Sequence, residues 1–167
     1  AGELLRDGAL TALATTFGIA TAAIILAGAL VLVILPLATR ELSRSDPFGI
    51  WSGKKAAWRR QVRRYLGPVV RFGLVVARAV PAYILAFLLI ALLGLQVWPL
   101  VLALAIHNFG ILGRLWGEVI ENADSASSVQ AVSGGQSRYA TFLTRLFPEN
   151  FNRLLIYFFY RWETCVK

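Results

Sequence analysis

Two long stretches of this chain carry no charge, and they set the architecture. Every residue from Gly8 to Thr39 is uncharged, and from Ala79 to Gly113 only His107 titrates near neutrality. A spanning helix needs about 20 mostly apolar residues to cross a hydrocarbon core of about 30 Å, and both stretches exceed that. The first predicts a helix over 9–38, with Pro36 marking its end. Its small residues Gly18, Ala22, Ala23, Ala27 and Gly28 recur at helical spacing, which lets helix backbones approach closely in lipid. The second stretch is too long for one helix at about 1.5 Å per residue. Gly94 to Pro99 offers the break, so spans are predicted over 68–93 and 99–120. A fourth, aromatic-rich segment over 148–167 carries Phe151, Tyr157, Phe158, Phe159, Tyr160 and Trp162. The expectation is an all-α, polytopic transmembrane helix bundle. It forms a single domain over 1–167 with about four spans and polar loops at 39–66 and 121–147.

Composition supports the membrane reading. The chain is 57% hydrophobic and 16% charged, against roughly 45–50% and about 25% for soluble domains. The net charge of +8 is explained by its distribution rather than by a nucleic-acid partner. Arg40, Arg44, Lys54, Lys55, Arg59, Arg60, Arg63 and Arg64 crowd one loop against only Glu41 and Asp46. Positive loops stay in the cytoplasm, and alternate crossings then put 121–147 on the same side. Within the basic loop, Trp58, Val62 and Tyr65 fall on one face of a helix over Lys54–Tyr65. That is the pattern of a helix lying on membrane lipid; a solvated basic linker is the alternative. A lone Cys165 excludes an internal disulfide and a cysteine-rich metal site. The chain has no methionine, so it is expected to be a piece of a longer protein.

Ionisable residues inside spans are costly and mark function or fixed pairing. Arg78 lies seven residues past Arg71, which places both on one side of the helix. Arg78 either draws an anion along a pathway or snorkels to the interface. His107 and Asn108, in the middle of a span, either line a pathway or bond neighbouring helices. Arg161 and Glu163 point to different sides of their helix and need partners elsewhere, with an arginine of another span expected for Glu163. Arg114, Glu118 and Glu121 form a charged stripe at the end of their span. No catalytic constellation is present. Gly134-Gly135-Gln136-Ser137 lacks the Gly-Lys-Ser/Thr of a phosphate-binding loop, and neither a metal nor a cofactor is expected.

Several motifs resemble a known family. Gly135-Gln136-Ser137-Arg138, followed by Leu146-Phe147-Pro148, is similar to the cytoplasmic coupling loop of ATP-binding-cassette importer permeases. Arg78-Ala79-Val80-Pro81, Leu102 to Asn108, Gly110 to Leu115 and Tyr160-Arg161-Trp162-Glu163 resemble the phosphonate-type permease subunit. The resemblance covers roughly 8–167. It implies a type I importer permease fold in the bacterial inner membrane. Its implied partners are cytoplasmic ATP-binding subunits, a second permease copy or paralogue, and an extracytoplasmic substrate-binding protein. It also implies an ATPase-coupling role for Val129, Ala131, Gly135, Ser137, Arg138 and Pro148. A translocation pathway is implied past Arg78, Pro81, His107, Asn108, Arg161 and Glu163. Two positions depart from the family pattern. Val129 stands where the coupling glutamate is usual, and Ala82 where an acidic residue follows the proline. The first leaves open a degenerate, non-transporting scaffold that has kept the permease fold.

Overall fold

The computed structural model describes residues 2–38, 54–123 and 138–167. Those residues are helical apart from short connections. In chain order the elements are α1 (Gly2–Ala38), α2 (Lys54–Ala79), α3 (Ala82–Leu93), α4 (Val97–Glu121), α5 (Arg138–Thr141), a π-helical turn (Phe142–Leu146) and α6 (Phe147–Val166). Among them, α1 over Arg6–Pro36 and α4 are long and apolar enough to cross a membrane. The pair Tyr65–Ala79 and Ala82–Leu93 qualifies as a third, broken span.

The elements depart from the predicted segments in ways the local chemistry explains. The helix over 54–65 does not stop short of a new span at Pro68; α2 runs through that proline to Ala79. Gly67 precedes it and has no Cβ to clash with the proline ring. The single span predicted over 68–93 is instead two helices meeting at 90°. Pro36 does not end α1, which continues to Ala38. The last segment is helical but carries Glu149, Arg153, Arg161 and Glu163, so it falls outside the helices apolar enough to span. Between α3 and α4, Gly94 adopts φ +91°, a left-handed conformation that glycine takes without steric cost. Its N–H caps Ile90 O at 2.9 Å.

α4 is the centre of the bundle and packs on α1, α2, α3 and α6. The core joins Ile24, Ala27, Val31 and Leu35 of α1 to Leu112, Trp116 and Ile120 of α4. Phe142 and Leu146 of the π turn and Leu154 of α6 complete it. The buried face of α1 follows a helical repeat through Ala20, Ala23, Ile24, Ala27, Val31 and Leu35. Two of its predicted packing residues, Gly18 and Ala22, fall off that face and are exposed. Gly28 lies on it, and a Cβ there would sit 3.1 Å from the Phe158 ring.

Candidate functional site

The residues singled out for a pathway meet α4 near its middle, but on two different sides. The first group gathers at the break between α2 and α3. Pro81 has no N–H to continue the helix, and it adopts φ −57°, ψ 140° at the N-cap of α3. Pro81 O accepts from Ile84 N at 3.0 Å and from Leu85 N at 3.2 Å. Val80 lies between the helices, and its carbonyl oxygen is met by His107 Nδ1 at 3.0 Å. A carbonyl can only accept, so His107 Nδ1 is the donor in this bond. Arg78 stands in the last turn of α2, where a cation suits the negative end of the helix dipole. Its side chain is exposed, and among the described residues no carboxylate pairs with it.

Glycines bring this break against α4. A Cβ on Gly110 would lie 2.6 Å from Arg78 N and 2.7 Å from Leu74 O, both backbone atoms. One on Gly113 would meet the Leu74 side chain at 2.5 Å. Glycine at 110 lets the two helix backbones touch, and glycine at 113 leaves room for the Leu74 side chain. The Gly110 to Leu115 motif contained both, but not the helix they would face.

The second group fills the seam between α4 and α6. Asn108 is fully buried. Its Oδ1 accepts from Arg161 Nη2 at 2.8 Å and from Arg161 Nε at 3.1 Å. Its Nδ2 donates to Leu104 O at 2.8 Å and to Cys165 Sγ at 3.2 Å. Every polar atom of the amide is therefore used, as burial requires. Arg161 is half-buried and, among the described residues, has no carboxylate partner. Lower in the seam, Trp116 Nε1 donates to Leu154 O at 3.1 Å. On the α1 side, Trp162 Nε1 donates to Thr21 Oγ1 at 3.1 Å. Sequence reasoning missed Cys165, Trp116 and Trp162 as seam residues. A tryptophan N–H signals a need for a partner but not which one.

The remaining charges pair closer to home than expected. Among the described residues Glu163 does not meet an arginine of another span; it pairs with Lys167 one turn along its own helix. Arg71 Nη2 binds Glu121 Oε1 at 2.8 Å. Glu121 is thereby drawn out of its stripe, leaving Arg114 paired with Glu118.

The segment resembling a coupling loop is described only from residue 138. Val129, Ala131, Gly135 and Ser137 lie outside the described residues. Arg138 opens α5, and Pro148 is the second residue of α6. Between them Phe147 N–H reaches back to Phe142 O in a π turn. That wider turn lies directly before the proline, which has no N–H to give. Asn150, also buried, donates from Nδ2 to Leu146 O at 3.0 Å. Among the described residues, no group of three metal-ligating side chains comes together.

Curated relatives fit this picture. The chain is 32% identical over 95 residues to the phosphite transport system permease protein PtxC of Stutzerimonas stutzeri. That match covers 57% of this chain and 34% of the relative. It is also 32% identical over 93 residues to the phosphate-import permease protein PhnE of Mycolicibacterium smegmatis, covering 56% of this chain and 18% of the relative. The chain thus spans at most about a third of the length of these relatives. No protein-family profile matches it, and no solved structure does. Over the matched stretch it is similar to phosphonate-type permeases, as its motifs implied.

Proposed function

We propose that this chain is the membrane-embedded part of a permease subunit in an ATP-driven importer of phosphorus oxyanions such as phosphite, phosphonate or phosphate. The observation that carries this reading is its likeness to two permeases whose names specify phosphite and phosphate. The helix break gives it a physical basis. Arg78 is an exposed cation with no carboxylate partner among the described residues, and it stands one turn from His107 along the α2–α4 contact. An arginine held this way in apolar surroundings favours an anion, and guanidinium matches the oxygens of a phosphorus oxyanion in a bidentate fashion.

In this reading the subunit sits in a bacterial inner membrane with its basic loop in the cytoplasm. It works with a second permease copy or paralogue and an extracytoplasmic binding protein. ATP is hydrolysed on separate cytoplasmic subunits that press on the 125–147 loop. The test is to purify the full-length protein in mild detergent with the subunits encoded beside it. Recovery of an ATPase whose turnover rises with phosphite, phosphonate or phosphate is the expected result. Isolation of the permease alone under all conditions would contradict it.

Val129 favours one other reading, a scaffold that keeps the permease fold without transport. Val129→Glu separates the two. An importer keeps or gains coupled hydrolysis, whereas a scaffold shows neither transport nor oxyanion-stimulated hydrolysis before the change.

A further inference from the structure

Two neighbouring residues of α4 reach two different helices. His107 meets the carbonyl of Val80 at the α2–α3 break, and Asn108 is gripped by Arg161 of α6. Successive helical residues point about 100° apart, so α4 cannot rotate or slide without disturbing both contacts together. α4 is also locked to α2, because Gly110 brings the two backbones into contact at Arg78 and Leu74. It is locked to α6 a second time through Trp116 and Leu154 O. α3 is different. It leaves α2 at 90° and buries none of its residues. α3 nevertheless packs along α4, so α4 is the element through which α6 and the Val80–Pro81 break are joined.

We propose that the His107–Asn108 pair is a mechanical joint carrying displacement of α6 across α4 to the α2–α3 break. Asn108 and Arg161 are then positioning residues that set the angle of α3, and they do not meet the transported molecule. The geometry favours this over simple adhesion. The amide of Asn108 uses all its bonds, and in surroundings of low dielectric such bonds are strong and directional. They transmit a position where a pair of packed leucines would allow slip. α6 follows directly from the π turn and α5, so a push on that segment arrives first at this seam. The role of the joint in transport rests on the permease reading; the joint itself does not.

Cys165 touches Asn108, and labelling of its own peptide, resolved by mass spectrometry, makes it a native reporter of the seam. The experiment uses the full-length protein with its co-purifying subunits in lipid nanodiscs. N-ethylmaleimide labelling of Cys165 reads the seam, and hydrogen exchange at the amides of Ile84 and Leu85 reads the break. His107→Leu removes only the bond to Val80, yet it is expected to speed Cys165 labelling by about fivefold or more, the lower end of measured couplings between sites. Asn108→Leu is expected to speed exchange at Ile84 and Leu85 comparably. Asn108→Asp still accepts both Arg161 bonds but loses the two that Nδ2 donates, so it should restore slow exchange at Ile84 and Leu85 only in part. If His107→Leu does not accumulate, His107→Asn, too short to span to Val80, takes its place. Labelling at the wild-type rate in the His107 variant, while Asn108→Leu speeds it, would overturn the joint and leave a local seam.

Uptake separates the joint from the permease reading. In Asn108→Leu, ATP hydrolysis should continue while uptake per ATP falls. A raised half-saturating oxyanion concentration with coupling intact would instead place Asn108 in the pathway and sink the proposal. A wild-type complex that takes up no oxyanion defeats the permease reading, and the labelling result then decides the joint alone.

Discussion

α3 and α4 follow one another in the chain and obey opposite rules. α3 is apolar from end to end, yet none of its residues is fully buried although it packs on α4, and Phe87 and Leu92 leave 73% and 71% of their surface exposed. α4 carries His107, Asn108, two close-packed glycines and Arg114, yet it forms the middle of the bundle. In water the more apolar helix would be the buried one. Lipid tails are as apolar as leucine, so apolarity draws no helix inward, and close approach and hydrogen bonds decide instead. The contrast explains why the chemistry gathers on α4.

The contrast breaks most sharply at Gly110. Gly110→Leu drives a side chain into the backbone at Arg78 and Leu74. Overpacking typically costs 1–3 kcal/mol, occasionally more, and a backbone obstacle puts this site at the upper end. Loss of a monodisperse peak on detergent gel filtration is the expected outcome. Gly117→Ala is the control, since nothing lies within 4 Å of that Cβ, and it should leave the peak unchanged.

Asn108→Leu comes next. It leaves the Arg161 guanidinium without the oxygen it binds, at a cost of about 1–3 kcal/mol. Adding Arg161→Leu should recover part of that loss in a double-mutant cycle read by thermal unfolding. Strict additivity would mean the two side chains are not coupled. Trp116→Phe removes the N–H given to Leu154 O, for about 1 kcal/mol, and adds the cost of the packing lost with the smaller ring. At the small end, Phe87→Ala and Leu92→Ala on α3 should shift stability by no more than about 0.5 kcal/mol. A larger loss would show that α3 packs against something in the membrane and would weaken the contrast.

Much of the fold was legible in the sequence, and the reason is physical. A spanning helix must satisfy its backbone internally and exclude charge, so uncharged runs and the Gly94 break expose its limits. The bend at Val80–Pro81 was not legible. Pro81 stood in plain view, but a proline in an apolar run can kink, break or be absorbed, as Pro68 and Pro36 are absorbed. Partner choice was hidden for a related reason. Arg161 and Glu163 each announced a need for a partner, but the nearest one depends on which groups adjoin. The structure gives them Asn108 and Lys167. The division of the pathway residues into a break group and a seam group depends on helix rotation. Their spacing along the chain could not reveal it.

The most direct measurement is ATP-dependent uptake of labelled phosphite and phosphate into proteoliposomes holding the full-length permease and its ATPase subunits, with Arg78→Gln alongside wild type. Accumulation by wild type, reduced about tenfold or more in the variant, is the expected result, since a lost charged hydrogen bond of 1.4 kcal/mol or more changes binding by that factor. An assembled, ATP-hydrolysing complex that accumulates neither oxyanion, or an Arg78→Gln variant that transports at the wild-type rate, would contradict it.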